Sequence, residues 1–200
     1  ISVQEAQALC LKGREPLPVE SLPLPDAAGR TLRADSGATR PQPPFAASAM
    51  DGYAVIGMNA QPGDNYTVVG EAAAGHAWDG TITPGQALRI FTGAPLPNGA
   101  DRVVIQEDVT REGDIITLRD KIDTAHYIRP AGADFPADFR LAAPRVLTAS
   151  DLALLAAMNV SDVTVTRKPH VALIATGDEL VMPGGDPRPD QIIASNIFGL

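Results

Sequence analysis

Residues 43–55 read Pro-Pro-Phe-Ala-Ala-Ser-Ala-Met-Asp-Gly-Tyr-Ala-Val. Pro43 and Pro44 hold the backbone extended and bar a helix up to that point. Small residues follow, Ala46 to Ala49, where an ordinary core would place bulkier groups. Asp51-Gly52 is a dipeptide suited to a tight turn with positive φ, so the stretch predicts a carboxylate at a bend beside Tyr53. Small residues next to a turn-borne acid leave room for a ligand to approach the backbone. Taken alone, the Asp-Gly step is better explained by a hairpin turn with an incidental Asp.

Upstream of this stretch, Val3 to Leu11 carries apolar residues at helical spacing, and Ser2 with Glu5 three positions later forms a capping-box pattern. Gly13 and Pro16 end that helix. Residues 17–25 read as extended, residues 26–29 as a short helical turn and residues 31–34 as a strand, and the Gly, Thr, Arg and Pro content of residues 35–44 reads as a linker. Downstream, to about Arg129, short strands at 66–69, 87–91, 102–106 and 115–118 alternate with Gly, Pro, Asn and Asp clusters. Strands at this spacing predict a small barrel or sandwich. Residues 151–158 predict a helix with Thr148 and Ser150 as available caps and Asn159 at its end, followed by a strand over 163–166.

At Lys168-Pro169 the character changes. Residues 170–175 (His-Val-Ala-Leu-Ile-Ala) form a continuous apolar run, the mark of a strand buried on both faces of a parallel sheet. It ends in Thr176-Gly177-Asp178-Glu179-Leu180, a Pro/Gly/Asp loop follows, and residues 192–200 look like the opening of a helix entered through Ser195-Asn196. Strand, loop and helix in that order are the first half of a βαβ unit. One strand makes no parallel sheet, so this domain is expected to be truncated at Leu200.

The composition sets bounds on function. Apolar residues make up 44% of the 200, enough for a real core, and the 18 glycines and 18 prolines predict many short elements joined by turns. A formal net charge of -8 argues against nucleic acid or an anionic membrane surface as the main partner. No run nears the roughly 18 consecutive apolar residues of a membrane span. The first residues lack a basic segment, so no signal peptide is expected, and the absence of Met at position 1 suggests a trimmed N-terminus; the location expected is cytoplasmic. Cys10 is the single cysteine, so no disulfide framework is expected, and its place on the helix predicts a small core residue.

Three further motifs carry candidate chemistry. Thr176-Gly177-Asp178-Glu179 stands at the carboxyl end of the apolar strand, where open α/β sheets bind ligands. Its adjacent carboxylates suit a hard cation such as Mg²⁺, which takes oxygen ligands and shares them with phosphates, although acids opening a helix would read the same. Residues 89–97 (Arg-Ile-Phe-Thr-Gly-Ala-Pro-Leu-Pro) run a strand into a Thr-Gly turn whose exit two prolines stiffen, so the Thr92 hydroxyl could donate to an oxyanion. Residues 129–134 (Arg-Pro-Ala-Gly-Ala-Asp) read as a boundary loop with a solvated Arg129 and Asp134. His76, His126 and His170 lack ligand-like spacing and read as non-catalytic, Ser48 has no histidine partner that would make a hydrolase triad, and there is no Gly-rich phosphate loop.

Ser-Ala-Met-Asp-Gly-Tyr-Ala-Val over residues 48–55 resembles the signature of the molybdopterin molybdenumtransferase family (MoeA and the E domain of gephyrin). Thr176 to Leu180, the Thr92-Gly93-Ala94-Pro95 turn, and Ala100-Asp101 followed by Val103 to Glu107 match the same family in its order, so the resemblance covers essentially the whole chain. It implies a multidomain α+β protein with β-rich N-terminal domains followed by the start of an α/β molybdopterin-binding domain. The implied boundaries are 1–18 for an N-terminal helix packing on that last domain, 19–40 with 139–167 for a discontinuous linker domain, 41–138 for an inserted β-rich domain, and 168–200 for the truncated α/β domain.

The activity implied is the insertion of molybdate into adenylated molybdopterin with release of AMP, by a homodimer that depends on Mg²⁺ and can meet other cofactor-biosynthesis proteins. Carried over by position, Asp51, Thr92, Asp134, Asp178 and Glu179 would form the catalytic set. Asp51, Asp178 and Glu179 would hold the metal, while Ser48, Thr176, Gly177 and Asn196 would bind the molybdopterin substrate or support its loop. The Thr92 hydroxyl would hydrogen-bond an oxyanion. Molybdate and a phosphoanhydride are both anions, so an acid-rich site would need a bridging cation. The family pattern is broken at Ala46, Ala133 and Ala194, each standing where relatives carry an acid. A non-catalytic homologue acting as a dimeric scaffold is the competing expectation.

Overall fold

Residues 52–118 build the largest element of the computed structural model, which describes residues 1–200: a six-stranded sheet. Across it the strands run Arg102–Ile105, Gly52–Val55, Gln86–Ile90, Asn65–Ala72, Ile115–Leu118, Val109–Glu112. Neighbours are antiparallel except Asn65–Ala72 with Gln86–Ile90, which lie parallel with an irregularity between Val68 and Glu71. A parallel pair cannot be closed by a tight turn, and residues 73–85 make the crossover. The two edge strands are consecutive in the chain, joined by the single turn Gln106–Asp108. An extended chain reaches at most about 3.3–3.6 Å per residue, so this short link draws the edges together and curls the sheet into a half-barrel.

Alternation sends the side chains of this sheet into two cores. Tyr53, Val55, Ala87, Val104, Ile116 and Leu118 face one, whereas Ala54, Leu88, Ile90 and Val103 face the other with Ala72, Ile82 and Ala94. All four residues of Gly52–Val55 are buried, so the doubly buried strand of this chain lies here.

A third core holds Ala27, Leu32, Phe135, Leu141, Leu147, Leu155, Met158, Val163 and Val165. It lies against a four-stranded sheet ordered Val19–Pro23, Asp162–Thr166, Thr31–Leu32, Arg145–Val146 and against the helix Ala149–Ala157. That helix starts two residues earlier than expected because Thr148 rather than Ser150 is its cap: the Thr148 hydroxyl accepts from Asp151 N at 3.2 Å and the Asp151 carboxylate accepts from Thr148 N at 2.9 Å. Asn159, at φ 61°, ends it. The expected linker over 35–44 contributes a ladder of its own, Ser36–Gly37 paired with Arg140–Leu141.

Apart from the strand ends Val19, Glu20 and Thr166, these elements belong to one unit, Ser21–Val165; the second unit comprises Ile1–Glu20 with Thr166–Leu200. In the second unit the helix Val3–Leu11 has the expected bounds and the Ser2/Glu5 capping box. None of its residues is buried, so Cys10 is exposed rather than a core residue. Apolar spacing marks a face that wants a partner; it does not supply one.

The same reasoning corrects residues 170–175. They form no strand, and Val171 and Ile174 are 75% and 82% exposed. A doubly buried strand needs hydrogen-bonded neighbours on both edges and cover on both faces, and here the parallel pairing of this unit is two residues long, Leu180–Val181 with Ile192–Ile193. The expected helix over 192–200 is the short Asn196–Gly199. An α/β domain start is therefore not evident. No helix is long and apolar enough to cross a membrane.

Candidate functional site

Asp51 stands where the chain enters the strand Gly52–Val55. Gly52 is hydrogen-bonded into the sheet on both sides, opposite Ile90 and Ile105. It is not among the positive-φ glycines; a Cβ built on it would stand 2.1 Å from the carbonyl oxygen of Val104. The expected tight turn with positive φ is thus the start of a central strand, and glycine is required there for close backbone approach.

The small residues before it serve the same end. Ser48 N donates to Ala94 O at 3.0 Å, Gly93 N to Ser48 O at 2.9 Å and Leu96 N to Ala46 O at 2.8 Å. Residues 46–48 therefore make room for the chain's own segment 93–96. Ser48 is 2% exposed, and its hydroxyl donates to Met50 O at 2.6 Å, which fixes the loop leading to Asp51.

That segment brings Thr92 to Asp51. Oδ1 of Asp51 accepts two hydrogen bonds of 2.8 Å, from the Thr92 backbone N–H and from its Oγ1. The two donors, first the amide and then the hydroxyl, hold the Asp51 carboxyl below its ordinary pKa, and the charge of Arg89 adds to this. The hydroxyl proton of Thr92 is thereby committed to the carboxylate, so the expected donation from this hydroxyl to an oxyanion is not what the structure shows. Gly93, at φ 82°, makes the turn that presents both donors.

Arg89, unassigned from sequence, is the cation of this neighbourhood. Its Nη1 donates to Gly52 O at 3.1 Å and its Nη2 to Gln106 Oε1 at 2.7 Å. Its guanidinium carbon lies 4.5 Å from the centre of the Phe91 ring and 5.1 Å from that of Tyr53. Position in the sheet explains the placement, since Arg89 is the cross-strand partner of Tyr53. An arginine on a strand reads from sequence as a solvent-facing residue, and the Arg89-to-Thr92 spacing was the available signal.

Arg129 and Asp134, expected as solvated loop residues, form an ion pair with each other. Arg129 and Thr92 line a groove of about 500 Å³ together with Pro43, Phe45, Ser48 and Gly93. Asp51 and Asp134 are not among its lining residues; each touches one that is. The groove thus offers a guanidinium and a hydroxyl, with the acids set behind them.

The remaining candidates lie in the other unit. Gly177 has φ 145°, and a Cβ there would come within 2.5 Å of Glu179 Oε1, so the carboxylate folds back over that glycine. The Asp178 backbone carbonyl accepts from Gln191 Nε2 at 3.4 Å, while neither the Asp178 nor the Glu179 carboxylate takes part in a hydrogen bond or ion pair. Thr176 and Asn196 line a cavity of about 390 Å³ whose other walls include Leu173, Ile174, Ile192 and Ile197. Buried Ala194, one of the three departures, lines the same cavity. No three acidic, histidine or cysteine side chains converge to form a metal cage. A cation here would be held by one or two carboxylates and completed by water or substrate oxygens, the arrangement that suits Mg²⁺ and the oxygen donors of Asp178 and Glu179.

Comparison with known proteins bears on what this arrangement serves. Residues 1–159 match the family model described as the MoeA N-terminal region (domain I and II). A molybdopterin molybdenumtransferase of Nostoc sp. is 38% identical over 180 residues, which is 87% of this chain and 41% of that protein. Molybdopterin molybdenumtransferase 2 of Mycobacterium tuberculosis is 34% identical over 201 residues, 98% of this chain and 50% of its own length. The crystal structure of a molybdopterin biosynthesis MoeA protein from Pyrococcus horikoshii superposes with a TM-score of 0.84 at 30% identity, covering 100% of this chain and 53% of that one. The chain spans about half the length of the curated relatives it matches.

Proposed function

The chain belongs to the MoeA N-terminal family, and from that premise we propose that the protein works in molybdenum cofactor biosynthesis as a molybdopterin molybdenumtransferase, inserting molybdate into adenylated molybdopterin with release of AMP. The observation that carries this reading is the groove in which Thr92 and Arg129 line the wall while Asp51 and Asp134 engage them from behind. Molybdate and adenylate phosphates are oxyanions, and a guanidinium fork matches such groups in charge and geometry where carboxylates would repel them.

In this reading Asp134 orients Arg129 and Asp51 orients Thr92, whose hydroxyl oxygen keeps its lone pairs while its proton is committed. Thr176, Gly177 and Asn196 would contact the molybdopterin substrate, and Asp178 with Glu179 would hold Mg²⁺. Mg²⁺ bound by carboxylates supplies Lewis-acid stabilisation of phosphoanhydride charge. A homodimer in the cytoplasm, with no nucleic-acid or membrane partner, belongs to the same reading, and the 200-residue piece alone would be inactive.

The test uses the full-length protein with adenylated molybdopterin, molybdate and Mg²⁺, measuring AMP. Release that falls sharply in Asp51→Ala and Glu179→Ala supports the reading. No release, or release indifferent to both changes, would overturn it and favour a scaffold role.

A further inference from the structure

We propose that Arg89 is the positioning residue of this site, clamping the two peptide groups that follow Asp51 so that its carboxylate meets Thr92. The functional part of this proposal rests on the transferase reading above; the structural part does not.

The geometry is specific to one guanidinium. Nη1 holds the carbonyl of Gly52, the residue after Asp51, at 3.1 Å, and Nη2 holds the Gln106 side chain at 2.7 Å. Gln106 in turn donates its backbone N–H to the carbonyl of Asp51 at 3.1 Å, and its side-chain amide to Glu107 at 3.2 Å. Both peptide groups flanking Gly52, the residue after Asp51, therefore lead back to Arg89. The rings of Phe91 and Tyr53 hold the plane of the guanidinium, at 4.5 and 5.1 Å. Arg89 also sits three residues before Thr92, so one side chain couples the strand that delivers the donor to the strand that delivers the acceptor. No carboxylate forms an ion pair with Arg89. Its contacts are carbonyl and amide oxygens and two rings, a set that uses the planar fork and that the point charge of a lysine cannot reproduce.

The experiment compares Arg89→Met and Arg89→Lys with wild type in the full-length protein. Amide hydrogen exchange reads positioning directly. The Thr92 amide, which donates to Asp51, is expected to lose protection about tenfold in Arg89→Met, while the Leu118 amide, which donates to Asp64 at 2.9 Å, stays within about twofold. In the AMP-release assay Arg89→Met is expected to lower kcat about 10- to 100-fold with little change in KM, and Arg89→Lys to recover little of it. In an Asp51→Asn background the same change is expected to lower kcat less than about threefold, because the residue it acts through is already lost.

An unchanged Thr92 amide overturns the proposal, as does a loss in the Asp51→Asn background as large as in wild type. If wild-type protein releases no AMP, the transferase reading fails by itself and the exchange measurement still decides the role of Arg89.

Discussion

Asp51 and Thr92, 41 residues apart in the chain, meet through one carboxylate oxygen that accepts both the amide and the hydroxyl of the threonine at 2.8 Å. Two donors on one oxygen select a single rotamer of each side chain and leave Oδ2 of Asp51 outside that pair. The acid that dominates the sequence signature is thus an organiser of the threonine as much as a group in its own right.

Thr92→Val removes the hydroxyl donor and leaves the amide. The Asp51 carboxyl is then expected to titrate closer to its ordinary value, about 3.9, while Thr92→Ser should match wild type. Because the folded value is lowered, the associated stability is present above the ordinary aspartate range and lost as pH falls through the lowered value. The stability difference between wild type and Thr92→Val should therefore close on acidification. Carbon-detected NMR titration and urea unfolding at several pH values check both statements.

Gly52→Ala and Gly63→Ala separate two uses of glycine. At Gly52 the new methyl meets the Val104 carbonyl, so the central strand pair must part, a loss of about 3 kcal/mol or more with altered spectra across the sheet. At Gly63, φ 86° with open space around it, the strain is in the backbone alone and about 1–2 kcal/mol is expected. Urea midpoints of the two variants distinguish them.

Thr148→Ala should destabilise by about 0.5–2 kcal/mol, since the hydroxyl caps the helix Ala149–Ala157 that covers the third core. Ser150→Ala, inside the first turn, should be close to neutral. Equal effects would show that the cap lies elsewhere.

Arg129→Met tests the groove. The molybdate concentration for half-maximal AMP release is expected to rise about tenfold or more, the scale of a lost hydrogen bond to a charged group. Asp134→Asn leaves the guanidinium in place and should raise it less. A larger effect of Asp134→Asn would assign the anion contact to another residue.

What the sequence revealed was local. Ser2 and Glu5, three apart, announced a capping box, and the strand Ile115–Leu118 was legible to the residue because its flanking turns are short and polar. Motifs drew attention to Asp51, Thr92, Ser48 and the Asp178-Glu179 pair, and of these the structure joins Thr92 to Asp51. The parallel pairing of Asn65–Ala72 with Gln86–Ile90 was hidden, since register across a crossover leaves no local pattern. Arg89 was hidden for the same reason: its partners lie on the strand Gly52–Val55 and in the turn Gln106–Asp108. Gly52 was misread because a dipeptide reports which φ values are allowed, whereas the constraint here comes from Val104, 52 positions away. Residues 170–175 announced a demand for neighbours that the chain does not meet.

The turn Gln106–Asp108 has a second consequence. Gln106 both joins the edges of the sheet and braces Asp51 and Arg89, so the carboxylate is set only once the sheet has curled shut. A ligand that engages Thr92 or Arg129 would then act as a clasp on the whole half-barrel, raising its melting temperature with the logarithm of ligand concentration even beyond saturation. Length changes should follow the same division: the crossover over residues 73–85 can absorb an inserted residue, while one added within 106–108 would loosen the binding groove before it unfolds the sheet.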